Sequence, residues 1–435
     1  MPDQISNNPG RLTHALIPGG AHTYSKGDDQ FPANAPRYLE RGKGCRVWDE
    51  SGREFIDWTA GLRSMSLGYG IEAVNQAAMA QIGKGSNFGR PSYIETEFAQ
   101  DLVSLVPCAE MAKFAKNGST VTTAAVKLAR AYTGRDYVAL CKDHPFFSYD
   151  DWFIGTTPCN AGIPKAFSDL SLTFRYNDSA SLERLFAEHP SQIACVILEA
   201  ATTDHPRDGF LQTVKELCRT NGAVFILDEM ITGFRWHLNG AQRYYHVEPD
   251  LATFGKGLAN GFSVAALVGK REIMDLGGLR HDLPRVFLIS TTHGAENHAL
   301  AAARATLKVF RDEPVIEHMW KTGQALIDGL SAAARDTGTA PFFEAGGIAC
   351  SPYYVTKDRS GVVSLAMRTL FLQEMIKAGV LINYLAPNFS HHPADVEKTV
   401  EAARRCLKVY ARALEDGWER YLDGPPIKPV FRPYN

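Results

Sequence analysis

Residues 223–230 read AVFILDEM, an apolar run that ends in two adjacent acids, Asp228 and Glu229. A short apolar segment with β-branched and aromatic residues, preceded by a glycine, reads as a strand buried on both faces. Similar runs occur on either side of it: YVALCK at 137–142, IACVILEA at 193–200 and SVAALVG at 263–269. Between them lie amphipathic patterns, TTAAVKLARAYTG at 122–134 and LQTVKELCRTNG at 211–222, each closed by the kind of glycine that ends a helix. Strand, helix, strand in succession predicts a doubly wound α/β domain over residues 75–325, with all four runs as buried parallel strands.

The flanking sequence reads differently. RVWDESGREFIDW (46–58) places two strand-like runs around a Glu-Ser-Gly turn, as a hairpin does. LAMRTLFLQEMIKAG (365–379) and ADVEKTVEAARRCLKVYARALE (394–415) are helical patterns. Residues 1–74 and 326–435 are therefore expected to join as a smaller α+β domain beside the large one, with a ligand cleft between them.

At 435 residues, with 45% hydrophobic and 22% charged side chains, the chain has the composition of a globular protein with a large core. Its 46 basic and 48 acidic residues nearly cancel, which leaves no electrostatic footprint for nucleic acid or an anionic membrane. The eight cysteines are scattered without a CxxC pair, a pattern of reduced core thiols in a cytosolic enzyme. The N-terminus lacks a signal-peptide pattern and no apolar run reaches membrane-spanning length, so a cytoplasmic location is expected.

Three elements carry candidate chemistry. In an open parallel sheet ligands bind outside the carboxyl ends of strands, where Asp228 and Glu229 fall; the plainer alternative is a strand that ends in water. Lys256 sits between Gly255 and Gly257 in TFGKGLANGFSVAALVG. Such a lysine is usually just exposed, but a desolvated one is a nucleophile toward carbonyls. The same segment has the spacing GxGxxxG, one residue too long for a dinucleotide fingerprint, which argues against a nicotinamide dehydrogenase. Asn117, Gly118, Ser119 and Thr120 precede a helix, where free backbone N–H groups suit a phosphate and where ordinary capping is the alternative.

With these elements in this order, the chain resembles the class III (ω-type) pyridoxal-phosphate aminotransferases, in the glutamate-1-semialdehyde aminomutase branch. The resemblance runs from IPGGAHTY (17–24) through LDEMITGFR (227–235), TFGKG (253–257) and STTHGAEN (290–297) to LINYLAP (381–387). It implies the fold type I architecture of pyridoxal-phosphate enzymes, pyridoxal 5'-phosphate as cofactor, and a homodimer with shared active sites. It assigns Lys256 to the covalent hold on the cofactor and Asp228 to the pyridine nitrogen. Met230 and Phe146 fall where the two faces of the ring are covered, and Gly118, Ser119 and Thr120 where the phosphate is cradled. Thr292 matches a threonine that reaches the phosphate from the neighbouring subunit, Glu199 an acid near the ring, and Thr202 a polar residue facing the ring hydroxyl.

The chain also departs from that pattern. Phe147 and Ser148 replace a histidine and a glycine, Val121 and Thr122 replace Glu-Ala, and Ala200 replaces a proline. Lys26 stands where the aminomutase has a carboxylate-binding arginine, and Ser390 and His391 lie where it has a gating glutamate. These departures favour ping-pong transfer from an amino donor to a separate aldehyde or ketone over intramolecular transfer, the alternative reading. Tyr24, Lys26, Arg63, Arg90 and His391, with His22 and His293, are expected near the site mouth and suit a hydroxylated or anionic, sugar-like acceptor. A non-catalytic scaffold is the remaining alternative, and the intact Lys256 and Asp228 oppose it.

Overall fold

The computed structural model describes residues 9–434. In chain order the strands are β1 (Leu39–Lys43), β2 (Arg46–Asp49), β3 (Glu54–Asp57), β4 (Met111–Ala115), β5 (Tyr137–Cys141), β6 (Ser171–Phe174), β7 (Ile193–Glu199), β8 (Val224–Glu229), β9 (Leu251–Phe254), β10 (Ala265–Gly269), β11 (Phe343–Ile348), β12 (Ser351–Thr356) and β13 (Val380–Leu381). The described residues separate into two compact units: those up to 60, 68–70 and those from 319 onward form one, and 61–67 with 71–318 the other. The sequence boundaries had been expected at 74/75 and 325/326.

The larger unit carries a seven-stranded sheet in the order β4-β10-β9-β8-β7-β5-β6. Every residue of β7, β8, β9 and β10 is buried, which is why these segments read as unbroken apolar runs rather than alternating ones. Strands β6, β5, β7, β8 and β9 pair in parallel. The run at 263–269, expected to be parallel, is instead antiparallel to both of its neighbours, β9 and β4. The reason is length: only residues 255–264 connect β9 to β10, too few for a crossover, so the chain turns back on itself. Because β10 alone is reversed, the carboxyl ends of β4, β5, β7, β8 and β9 share one edge of the sheet. The expected helices form as Gly118–Thr133 and Phe210–Asn221, each followed by a glycine with positive φ.

The smaller unit holds the sheet β1-β2-β3-β13 and the pair β11-β12. The expected hairpin is present, with Arg46 opposite Ile56, and helices Leu365–Lys377 and Pro393–Asp416 supply much of the covering layer. Trp58, Phe343, Phe371 and Tyr410 are buried together in its core. All eight cysteines are free and seven are buried. Among the described residues no helix is long and apolar enough to cross a membrane.

Candidate active site

The shared strand edge gathers most of the candidates. Glu199 and Asp228 end the adjacent parallel strands β7 and β8 and stand in register, and Asp228 in turn pairs with Thr253 on β9. Lys256 follows β9 by two residues, in a one-turn 3-10 segment, Lys256–Ala259. Its φ of 45° is left-handed, an unfavourable setting for a lysine that persists where surrounding structure imposes it.

Burial dominates the electrostatics. Asp228 is 1% exposed, and its Oδ1 accepts from the Met230 backbone N–H at 3.0 Å and the Thr253 hydroxyl at 3.0 Å. Both bonds fall on Oδ1 and neither on Oδ2. Burial pushes the Asp228 carboxyl up and the Lys256 ammonium pulls it back. Burial lowers the Lys256 amine, Glu199 and Asp228 hold it up in part, and Arg63 and Arg235 lower it further. A lowered amine is what a lysine nucleophile requires. Glu199 is buried, its Oε2 has no hydrogen-bond partner, and burial and Asp228 raise its carboxyl while Lys256 and Arg63 oppose the rise.

A Cβ on Gly118 would come within 2.9 Å of the Met230 sulfur, and one on Gly255 within 2.6 Å. Met230 is thus seated between two glycines, as a platform under a planar group would be. At the helix start, Asn117 Oδ1 accepts from the Thr120 backbone N–H at 2.9 Å and lies 3.1 Å from its hydroxyl. Capping therefore occupies the Thr120 N–H, and the anion-binding capacity rests on the N–H groups of Gly118 and Ser119, which lack intrahelical partners by geometry.

The sequence departures meet in space. The Thr122 hydroxyl reaches the Phe147 carbonyl at 2.9 Å, and Thr123 lies 3.1 Å from the Ser148 hydroxyl. The Ser119 hydroxyl accepts from the Tyr149 backbone N–H at 3.1 Å. Hydroxyls of the helix thereby hold the 147–149 loop, with Phe147 buried and Phe146 exposed edge-on to Phe153. Sequence reasoning missed this coupling, and it also missed His144. That imidazole is buried, its Nδ1 accepts from the Glu199 backbone N–H at 2.9 Å, and its Nε2 has no partner. Burial pushes its pKa down to about 3.

Thr202 is partly buried just beyond β7, and Thr292 is exposed, its carbonyl accepting from Asn87 Nδ2 at 3.1 Å. Of the substrate candidates, Arg63 belongs to the larger unit and acts electrostatically on both Glu199 and Lys256. Arg90, Tyr24 and Lys26 are exposed. His391, expected at the mouth, is fully buried in the smaller unit: its ring stacks on Trp58 at 3.8 Å and 10°, and its Nδ1 accepts from the Asn388 N–H at 3.1 Å. It packs the 388–392 loop.

Arg63 has an unusual backbone. Ala60, Gly61, Leu62 and Arg63 have φ of 46°, 56°, 59° and 69°, one turn of left-handed helix. Each of its three non-glycine residues costs about 1–2 kcal/mol relative to a right-handed conformation.

The site residues fit a planar, phosphorylated pyridine aldehyde: a lysine for the aldehyde, a buried acid for the ring nitrogen, a sulfur platform seated between glycines, and a helix start for the phosphate. Comparison with known proteins agrees. The Aminotransferase class-III family model matches residues 29–385. The glutamate-1-semialdehyde 2,1-aminomutase of Desulforamulus reducens is 31% identical over 422 residues, covering 91% of this chain and 96% of that one. Among solved structures, the FumI protein of Sphingopyxis sp. MTA144 in its PLP internal aldimine form superposes with a TM-score of 0.86 at 27% identity, over 95% of this chain and 98% of that one. An omega-transaminase from Sphaerobacter thermophilus shares the fold with a TM-score of 0.83 at 24% identity, over 94% and 98% of the two chains. The chain belongs to the class III aminotransferases, enzymes of PLP fold type I that work with pyridoxal 5'-phosphate.

Proposed function

We propose that the protein is an intermolecular aminotransferase that moves an amino group from an amino donor to a hydroxylated or anionic aldehyde or ketone by a ping-pong mechanism. The observation that carries this reading is the row Glu199, Asp228 and Thr253 at the ends of β7, β8 and β9, with Lys256 on the turn that follows. Bound pyridoxal phosphate supplies an electron sink for the carbanion formed at the substrate carbon. The remaining roles fall to the chain. Lys256 Nζ would hold the cofactor covalently and would carry a proton to and from the substrate carbon. Asp228 Oδ2 would keep the ring nitrogen protonated, and the helix start at Gly118–Thr120 would hold the phosphate through the Gly118 and Ser119 N–H groups. Met230 and Phe146 cover the two ring faces, Thr202 faces the ring hydroxyl, and Thr292 serves the site of a second copy in a homodimer.

A half-reaction screen tests the reading. The visible absorbance of the lysine-bound cofactor should fall as amino donors are added and return with carbonyl acceptors; no response to any donor would reject it. The second reading, aminomutase, has in its favour the 31% identical relative of that name. Against it stand Lys26 in place of arginine, and a 388–392 loop that packs His391 into the interior where a gating group is required. Isomerisation of a single amino-aldehyde with no second substrate would decide for the aminomutase. A cytoplasmic location is part of the proposal, supported by eight cysteines that are all free thiols.

A further inference from the structure

Strand β7 outlasts its neighbour. Its last pairing with β5 sets Leu140 opposite Ile197, and two residues further on Glu199 stands in register with Asp228 of β8. In-register residues of adjacent parallel strands point to the same face, so the Glu199 and Asp228 carboxyls share the ligand edge. Beyond Ile197 an imidazole takes the place of a β5 residue: the Glu199 N–H donates to His144 Nδ1 at 2.9 Å, and both side chains are buried.

The imidazole is itself pinned. After β5 the chain turns, with the His144 N–H on the Cys141 carbonyl at 3.3 Å. Asp143 fixes this turn to the segment after β6: its Oδ1 accepts from Arg175 Nη1 at 2.7 Å and its Oδ2 from the Tyr176 N–H at 2.8 Å. Tyr176 then returns to β7, its ring 4.9 Å from that of His144 and its hydroxyl donating to the Ala200 carbonyl at 2.8 Å. The 199–200 backbone is thus held at the Glu199 N–H by His144 and at the Ala200 carbonyl by Tyr176.

The arrangement dictates the state of the ring. An Nδ1 that accepts is unprotonated, so the neutral His144 carries its hydrogen on Nε2, which has no partner. A buried N–H without an acceptor is destabilising, and an apolar side chain would fill the space without that cost. What the imidazole adds is an acceptor for the backbone N–H of the residue that carries the acid.

We propose that His144 is a positioning residue of the active site: by holding the Glu199 backbone past the end of the β5 pairing, with Tyr176 as its counterpart at Ala200, it sets the Glu199 carboxyl beside Asp228, where it acts on the lysine-bound cofactor. The inference rests on Lys256 as the point of attachment and is independent of which donor or acceptor is used. His144 acts through Glu199. A carboxylate near the lysine nitrogen favours its protonated form; Glu199 and Asp228 act on Lys256 in that sense, and Arg63 and Arg235 oppose them.

The test reads the pH at which the visible band of the reconstituted protein changes, in wild type, His144→Asn, His144→Leu, Glu199→Gln and the double variant, with circular dichroism as the check on folding. Asparagine can offer its amide oxygen where Nδ1 stands, and leucine cannot. His144→Leu should lower the midpoint by about half a pH unit or more and Glu199→Gln by at least as much, His144→Asn should recover most of the wild-type value, and His144→Leu added to Glu199→Gln should shift it no further. An unchanged midpoint in His144→Leu overturns the proposal, as does a His144→Leu shift that persists in the Glu199→Gln background. A second measurement needs neither cofactor nor the leucine variant. Histidine-selective nitrogen NMR of the cofactor-free wild type, with the His144 signal identified by its loss in His144→Asn, should show a neutral ring with its hydrogen on Nε2 from about pH 6 to about pH 8. A hydrogen on Nδ1, or a ring that titrates in that window, overturns the proposal. If no visible band forms at all, it is the Lys256 assignment that fails, and the nitrogen spectrum still decides the hold of His144 on Glu199.

Discussion

Asp228 and Glu229 are neighbours on one strand, both acidic and both buried, yet they do different work. The two-residue period of a strand sends them to opposite faces. On one face Glu229 is saturated: it accepts from the Ala241 N–H at 2.5 Å, the Gln242 N–H at 3.2 Å, the Gln242 side-chain amide at 3.0 Å and the Thr232 hydroxyl at 3.2 Å. Gly240, with φ of 80°, lies over it so closely that a Cβ would reach its Oε1 at 2.7 Å. On the other face Asp228 spends one oxygen, Oδ1, on two bonds and is under the electrostatic influence of Lys256. A buried acid whose acceptors are all used is structural. One with an oxygen outside those bonds and a buried lysine acting on it is the candidate for chemistry.

Substitutions should separate the two faces. Asp228→Asn, nearly isosteric, should lower turnover by about 10²–10³-fold with little change in thermal midpoint, because the fixed charge beside the ring nitrogen is lost while the shape is kept. Steady-state rates and melting curves check it. Glu229→Ala should do the reverse. It orphans buried donors and costs about 3 kcal/mol of stability, read as a lower urea midpoint, while cofactor uptake by the folded fraction stays near wild type.

His144 sharpens the contrast through pH. Its pKa is near 3 in the folded protein against 6.5 unperturbed, so below 6.5 the unfolded chain takes up a proton that the native imidazole refuses. Stability therefore falls as pH drops from 6.5 toward 3, by about 1.4 kcal/mol per pH unit for one proton. His144→Gln should flatten that part of the urea-midpoint profile of the cofactor-free protein. Met230→Ala gives the smallest expected effect. Removing the platform loses dispersion contacts worth under about 1 kcal/mol, a few-fold weaker hold on pyridoxal phosphate in equilibrium dialysis.

Strand identity and the acids at 228 and 229 were legible because buried parallel strands announce themselves as apolar runs, and because a ligand edge follows from strand direction. The reversal of β10 was not legible from the run itself; it follows from the ten-residue connection at 255–264 once the partners of β9 are known. Apolar patterning does not distinguish Asp228 from Glu229, since which side chain points to which face depends on the sheet; the resemblance carried by LDEMITGFR is what singles out Asp228. His391 reads as a site residue because it lies in the stretch where the aminomutase has a gating glutamate; its stacking on Trp58 joins residues distant in sequence and leaves no local signal. The departures at 122, 147 and 148 read as separate oddities, whereas the Thr122 and Thr123 hydroxyls make them one contact set. The left-handed turn at Arg63 had no signal beyond Gly61, for Leu62 and Arg63 ordinarily avoid that region.

The central claim is that Lys256, on the Asp228 face of the strand edge, is the residue that takes the cofactor. It is tested most directly by reconstituting the protein with pyridoxal phosphate, reducing with borohydride to make the attachment permanent, and mapping the modified peptide by mass spectrometry. One cofactor per chain on Lys256, absent in Lys256→Ala, is the predicted result; attachment at another lysine, or none, contradicts the account.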